Sequence, residues 1–295
     1  MRKIRFSVLI LFSSIFLLAG CTCKILDLEK IKTQLVKVDD CTLGYKTFGQ
    51  GYPLVMITGY SATMDMWDAR VLSKLARRYK VIIFDNRGMG ASTASNKEFS
   101  IKLFADDTAG LFKALNIKQA NVLGYSMGAS IALEFTLKYP EMANKLILYA
   151  GNCGGKEPVS PTPENMQKLI DTSGTPEERG KRLLRLLLPE QWLKDNPDPA
   201  KYLPKITETS SMVIIDRQTK ALTTWEGCYS RLPDIIQPVL LITGTEDVVT
   251  PAENSLILAN RIPLAWLAQI KGGGHGLMYQ SPRKFSKVIL AFLED

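Results

Sequence analysis

Apolar residues along this chain gather in two patterns that alternate. Short unbroken runs, PLVMITG at 53–59, KVIIFD at 80–85, ANVLGYS at 120–126 and KLILYA at 145–150, suit strands buried on both faces of a sheet. Between them the spacing is helical. Trp67, Val71, Leu72, Leu75 and Ala76 predict a helix within Met66 to Tyr79, and further helices are expected around Ile101 to Leu115 and from Met127 to Lys138. Strands alternating with helices of this length predict a parallel sheet with helices on both faces. Ahead of the first run, TQLVKV and TLGYKTFG, separated by Asp39, Asp40 and Cys41, predict a hairpin.

From Gly151 to about Pro233 the pattern changes. Prolines, among them Pro158, Pro163, Pro176, Pro189 and Pro204, punctuate short helical stretches such as EERGKRLLRLLL, and no buried-strand run interrupts them. PVLLITG at 238–244 restores the earlier pattern, followed by a helix near Pro251 to Asn260, a short strand near AWLAQI and a closing helix from Ser281 to Leu293. The expected organisation is one α/β core in two parts, 33–150 and 234–295, divided by a helical cap at 151–233. No internal repeat or low-complexity tract is present.

The beginning of the chain reads differently. Arg2, Lys3 and Arg5 precede an apolar stretch from about Phe6 to Leu18, closed by Ala19, Gly20 and Cys21, the layout of an export signal. The run is shorter than the about 20 residues that a membrane-spanning helix needs. Leu18-Ala19-Gly20-Cys21 resembles the lipobox of bacterial lipoproteins. That resemblance implies removal of a signal peptide at 1–20, a diacylglycerol on the Cys21 thiol, a tether at 21–32, and an extracytoplasmic protein anchored by lipid to a bacterial membrane.

Composition narrows the function classes. The chain has 46% hydrophobic and 22% charged residues, as a globular protein does. Its formal charge of +8 comes from residues that occur singly or in pairs such as Arg77-Arg78 and Lys181-Arg182, without an aromatic-interleaved basic stripe, so nucleic acid is not an expected partner. No Cys/His cluster has metal-ligand spacing. Beyond Cys21, the four thiols of Cys23, Cys41, Cys153 and Cys228 allow three complete pairings. A Cys153–Cys228 bridge and four free thiols both stay open.

Chemistry enters with Gly124-Tyr125-Ser126-Met127-Gly128, where an apolar strand gives way to a helix. A sharp turn at that junction forces the serine into a strained conformation, and the flanking glycines remove the Cβ atoms that would collide. The turn lifts the serine oxygen above the carboxyl end of the sheet. The Met127 amide points into the same space at the positive end of the helix. A serine needs a base to become a nucleophile. The chain has one histidine, His275, in the glycine-rich segment IKGGGHGLMYQ after the last expected strand. An imidazole in that role needs an anionic partner. Asp247, in LLITGTEDVVTP, follows another strand end, with Glu246 as the alternative.

In these motifs, and in the chain order serine, acid, histidine, the sequence from Thr33 to Leu293 resembles the α/β-hydrolase family. The resemblance implies a mostly parallel, doubly wound sheet of about eight strands with a helical cap. Asp85 to Ser92, DNRGMGAS, looks like the family's Asp-x-Arg-Gly-x-Gly-x-Ser segment and is read as structural. Thr58-Gly59-Tyr60-Ser61 matches the loop whose backbone amide, here that of Tyr60, gives a second oxyanion donor; the family commonly has histidine where this chain has Thr58. Trp67 is either a pocket wall or helix packing, and the same choice stands for Leu183, Leu184, Leu186, Leu187 and Trp192.

Serine at the turn sets the chain apart from relatives with aspartate there. The implied activity is hydrolysis of a small carboxylester or lactone through an acyl-serine, without a cofactor. Aminopeptidase, carbon–carbon bond hydrolase or perhydrolase chemistry shares the same residues. A lipid-anchored binding protein without turnover is the reading from another class.

Overall fold

The computed structural model describes residues 25–171, 173–208 and 210–295. The signal peptide, the lipidation at Cys21 and the first part of the tether expected from the sequence, together with Cys23, fall outside the described residues. The rest of the tether is docked. The Leu26 amide donates to Ser73 Oγ at 2.7 Å, and Lys46 Nζ donates to the Leu28 carbonyl at 2.9 Å.

Eight strands form one sheet: β1 (Gln34–Val38), β2 (Cys41–Phe48), β3 (Tyr52–Ile57), β4 (Tyr79–Phe84), β5 (Ala120–Tyr125), β6 (Ala143–Tyr149), β7 (Val239–Gly244) and β8 (Ala265–Ile270). Their order is β1-β2-β4-β3-β5-β6-β7-β8. Pairing is antiparallel for β1 with β2 and for β2 with β4, and parallel from β4 through β8. The hairpin turn is Asp39-Asp40 alone, with Asp39 at φ +48° and Cys41 paired to Val38. A two-residue turn with positive φ matches the right-handed twist of the strands it joins.

The central strands are apolar without interruption because both faces are covered. Val55 and Ile57 of β3 meet the layer under α2 (after α1, Ala69–Leu75; α2 spans Ile101–Ala114) and α3 (Met127–Lys138). Leu54 and Met56 meet the opposite layer, under α1 and the last helix. Between β6 and β7 lie four helices, α4 (Pro163–Ile170), α5 (Pro176–Leu187), α6 (Glu190–Asp195) and α7 (Met212–Thr223), with no strand among the described residues. Pro163 and Pro176 each take a first helical position, behind Thr162 and Thr175 whose hydroxyls accept first-turn amides. These two prolines thus start helices, since a first-turn N–H has no intrahelical partner to lose. The chain closes with α8 (Glu253–Ala259), α9 (Leu277–Gln280) and α10 (Pro282–Glu294). Among the described residues no helix is long and apolar enough to cross a membrane.

The helix expected across Met66 to Tyr79 is shorter than its hydrophobic spacing suggests. The Asp68 carboxylate accepts the amides of Arg70 at 2.8 Å and Val71 at 3.1 Å, which fixes the helix start at Ala69. Such side-chain capping competes with continuation of the helix backwards. Trp67 falls just outside it, buried with its ring 6.2 Å from that of Tyr125, and it also borders a cavity of about 350 Å³ shared with Leu26, Asp68 and Tyr202. Leu186 is also core, Leu183 is exposed, and Trp192 packs edge-on against Tyr202 at 5.1 Å.

In the DNRGMGAS segment the two charged side chains have separate partners, and Arg87 does not pair with Asp85. Its fully buried guanidinium donates to both Asp107 oxygens, at 2.8 and 2.5 Å, and to Asp40 at 2.7 Å, tying β4's exit to α2 and the hairpin. Asp85 instead accepts the amides of Met64 and Ala91, and burial pushes its carboxyl up to about 7. Cys41, Cys153 and Cys228 are free and buried, so the Cys153–Cys228 bridge is not formed. Burial raises the thiols of Cys41 and Cys153 to about 11. Thiols held that high stay protonated and unreactive near neutral pH.

Candidate active site

Ser126, Met127, Tyr60, Asp247 and His275 each follow the end of a strand of the parallel part of the sheet. Ser126 follows β5 with φ +55° and ψ −118°, a region that costs a non-glycine residue about 1–3 kcal/mol. The surroundings explain why the turn cannot relax. A Cβ on Gly124 would stand 2.2 Å from the Gly128 carbonyl oxygen, and one on Gly128 would stand 2.2 Å from that of Ile57. Strand β5, helix α3 and the end of β3 therefore approach as closely as backbones can. Gly128→Ala is expected to lower stability by about 3 kcal/mol or more, because the clash is with backbone on a central strand; thermal denaturation measures it.

Ser126 is partly exposed, between buried Tyr125 and Met127. Its backbone is held at both sides, its N–H donating to Tyr149 O and its carbonyl accepting from the Ala129 N–H, both at 2.9 Å. Its hydroxyl does not cap α3. The first-turn Met127 amide has no intrahelical acceptor and sits at the positive end of α3.

His275 lies in the turn between β8 and α9. Its Nδ1 is 2.9 Å from Asp247 Oδ2, with His275 4% and Asp247 5% exposed. The other carboxylate oxygen, Oδ1, accepts the amides of Val249 at 2.9 Å and Thr250 at 2.8 Å. One oxygen is thus anchored to backbone and the other is left for the ring. Glu246 is exposed and takes no part in this contact. A carboxylate only accepts, so the proton of the neutral imidazole sits on Nδ1 and the lone pair on Nε2.

Two residues not anticipated from the sequence fix the histidine backbone. Tyr149 and Tyr125 donate their hydroxyls to the His275 carbonyl at 2.5 and 3.2 Å, and their rings stack at 4.6 Å. Burial holds both phenols well above their usual range, so they remain donors. The Tyr125 ring is 5.1 Å from the imidazole, which places His275 beside the residue preceding Ser126. Ser126 and His275 are on one edge of the sheet but share no hydrogen bond. Catalytic contacts of this kind commonly tighten only when substrate is bound.

The loop after β3 completes the arrangement. A Cβ on Gly59 would be 3.2 Å from Ser126 Cβ, so this loop lies directly against the serine. Asn86 Nδ2 donates to both Thr58 O and Thr58 Oγ1 at 3.2 Å, and the Thr58 hydroxyl reaches Ala62 O at 3.4 Å. This network supports the loop at the position where relatives commonly have histidine. The cap bears on the same edge: the Gly276 N–H donates to Leu187 O, at the end of α5, at 2.7 Å.

Two cavities, of about 660 and 350 Å³, open elsewhere on the molecule; neither is lined by Ser126, Asp247 or His275. Among the described residues no group of three or more His, Cys, Asp or Glu side chains gathers as a metal ion would need.

Comparison with known proteins bears on this geometry. "Putative carbamate hydrolase RutD" of Azorhizobium caulinodans is 27% identical over 258 residues, covering 86% of this chain and 95% of the relative. An alpha/beta hydrolase fold protein from Chitinophaga pinensis superposes with a TM-score of 0.78 at 23% identity, over 90% of this chain and 98% of that one. The enol-lactonase from Burkholderia xenovorans LB400 gives a TM-score of 0.76 at 19% identity, over 89% of this chain and all of the other. Residues 52–282 match the family described as alpha/beta hydrolase fold. With the family match spanning residues 52–282 and these folds superposing over most of the chain, the chain belongs to the alpha/beta hydrolase fold family.

Proposed function

We propose that this hydrolase cleaves a small carboxylester or lactone through an acyl-serine intermediate. Ser126 is the nucleophile, His275 the base, Asp247 the group that orients and stabilises the imidazolium, and the amides of Met127 and Tyr60 the oxyanion donors. The observation that carries this reading is the 2.9 Å Nδ1–Oδ2 contact, which leaves a basic Nε2 on the sheet edge where the strained Ser126 stands. Nε2 takes the hydroxyl proton as Oγ attacks the carbonyl carbon. The electron pair displaced onto the carbonyl oxygen is held by the two amides. Collapse expels the alkoxide, which receives the proton from Nε2, and water then repeats the sequence on the acyl-serine. Preorganised donors of this kind are each worth about 10²- to 10³-fold in turnover.

The name of the Azorhizobium relative favours a second substrate for the same residues, a carbamate. A panel of p-nitrophenyl esters, lactones and carbamates tests the two. Turnover of esters or lactones above carbamates is expected, preference for the carbamate selects the second reading, and turnover of none removes both.

We also propose that Cys21 carries a lipid that anchors the enzyme to a bacterial membrane outside the cytoplasm. The Leu-Ala-Gly-Cys ending of the apolar run supports this. Cys21→Ala is expected to abolish metabolic labelling by palmitate, whereas labelling equal to wild type would refute the anchor.

A further inference from the structure

The loop against the serine is held from the cap. On α7, Gln218 is fully buried and its carboxamide oxygen accepts the Ser61 amide at 2.9 Å. The next residue, Thr219, shares a 2.7 Å hydrogen bond with the Tyr60 hydroxyl. Ser61 itself has φ +56°, a conformation its own residue type does not favour. Tyr60 is therefore fixed through its side chain and through the peptide that follows it, both by neighbouring residues of one cap helix.

The carboxamide nitrogen of Gln218 is buried with no hydrogen-bond partner among the described residues. An orphaned buried donor costs about 1–3 kcal/mol. Methionine would fill the same volume without that cost, so packing does not account for an amide here. Turning the amide round would set its NH₂ group against the Ser61 N–H. What the residue supplies is the oxygen on Ser61.

We propose that Gln218 is a positioning residue for the oxyanion site: it locks the Tyr60–Ser61 peptide from the cap, so that the Tyr60 amide faces the carbonyl oxygen of the substrate. This rests on the reading of Tyr60 as an oxyanion donor. The cap then does more than wall the substrate. It completes the electrostatic part of the site, because a donor aimed by a cap helix is in register only while that helix is seated on the core. Misplacing a reacting or stabilising group by about 1 Å costs on the order of 10²-fold.

The test is steady-state and pre-steady-state kinetics of Gln218→Met and Gln218→Asn beside wild type. Methionine removes the acceptor at similar volume; asparagine keeps the amide but draws it back by one methylene. Both are expected to lose about 10- to 100-fold in kcat on a p-nitrophenyl ester, less than outright loss of a donor. KM should stay within about threefold of wild type, and phosphonylation by a fluorophosphonate should slow by a similar factor, since it builds charge on the same oxygen. Gln218→Met should melt no lower than wild type. Retention of kcat within twofold by either variant, a loss confined to KM, or a loss that tracks a lowered melting midpoint in both would overturn the proposal. If wild type itself neither turns over an ester nor is phosphonylated, the proposed activity fails instead.

Discussion

Ser126→Ala is expected to lower kcat on a p-nitrophenyl ester by about 10⁴-fold or more, with KM close to that of wild type, as when an interaction made only in the reaction is removed. The same change leaves the fold intact. The hydroxyl neither caps α3 nor bonds His275, so its loss strands no partner, and alanine meets the same backbone angles as serine does. The melting midpoint should therefore shift by less than about 2 °C, since no buried contact is lost. Steady-state kinetics and calorimetry on one preparation check both halves. Undiminished turnover in the variant would place the chemistry elsewhere.

Asp247→Asn is expected to cost about 10⁴-fold in kcat, although it changes one atom. The geometry determines how. Oδ1 accepts two backbone amides, from Val249 and Thr250, and only an oxygen can stay there. The asparagine nitrogen must then occupy the place of Oδ2, 2.9 Å from His275 Nδ1, where it donates. The ring answers with a lone pair on Nδ1 and its proton on Nε2, the nitrogen that has to receive the serine proton. The fold persists and the base is in the wrong tautomer. Activity within tenfold of wild type would show that the imidazole takes its orientation from something other than Asp247.

The sequence was most legible where structure is local. The runs that became β3, β4, β5 and β7 read clearly because both of their faces are covered, whereas the edge strand β8 is only half buried and its pattern is weaker. Glycine, serine and glycine lie within five residues, so the requirement for small neighbours around a strained turn is written in one place. Asp247 and His275 could be found because each follows a strand end and the chain has a single histidine.

Contacts between distant segments left no such mark. Gln218 meets Ser61 across 157 positions from the middle of a helix, and nothing in its own neighbourhood signals that its side chain turns inward. The segment around Arg87 was readable as structural, yet the arginine's partner Asp107 lies one element further on. The start of α1 was misjudged because hydrophobic spacing carries no information about the Asp68 side chain capping it. Cys153 and Cys228 are near enough for the Cys228 amide to reach the Cys153 carbonyl at 2.7 Å, but proximity of backbones does not make a disulfide, and both thiols are free.

In the proposed mechanism Ser126 Oγ is made nucleophilic by His275. Peptide mapping by mass spectrometry after treatment with a fluorophosphonate tests it most directly. One phosphonyl adduct is expected, on Ser126, in wild type, and almost none over the same time in His275→Ala. An adduct on another residue, no adduct at all, or equal labelling of Ser126 in both proteins would contradict it.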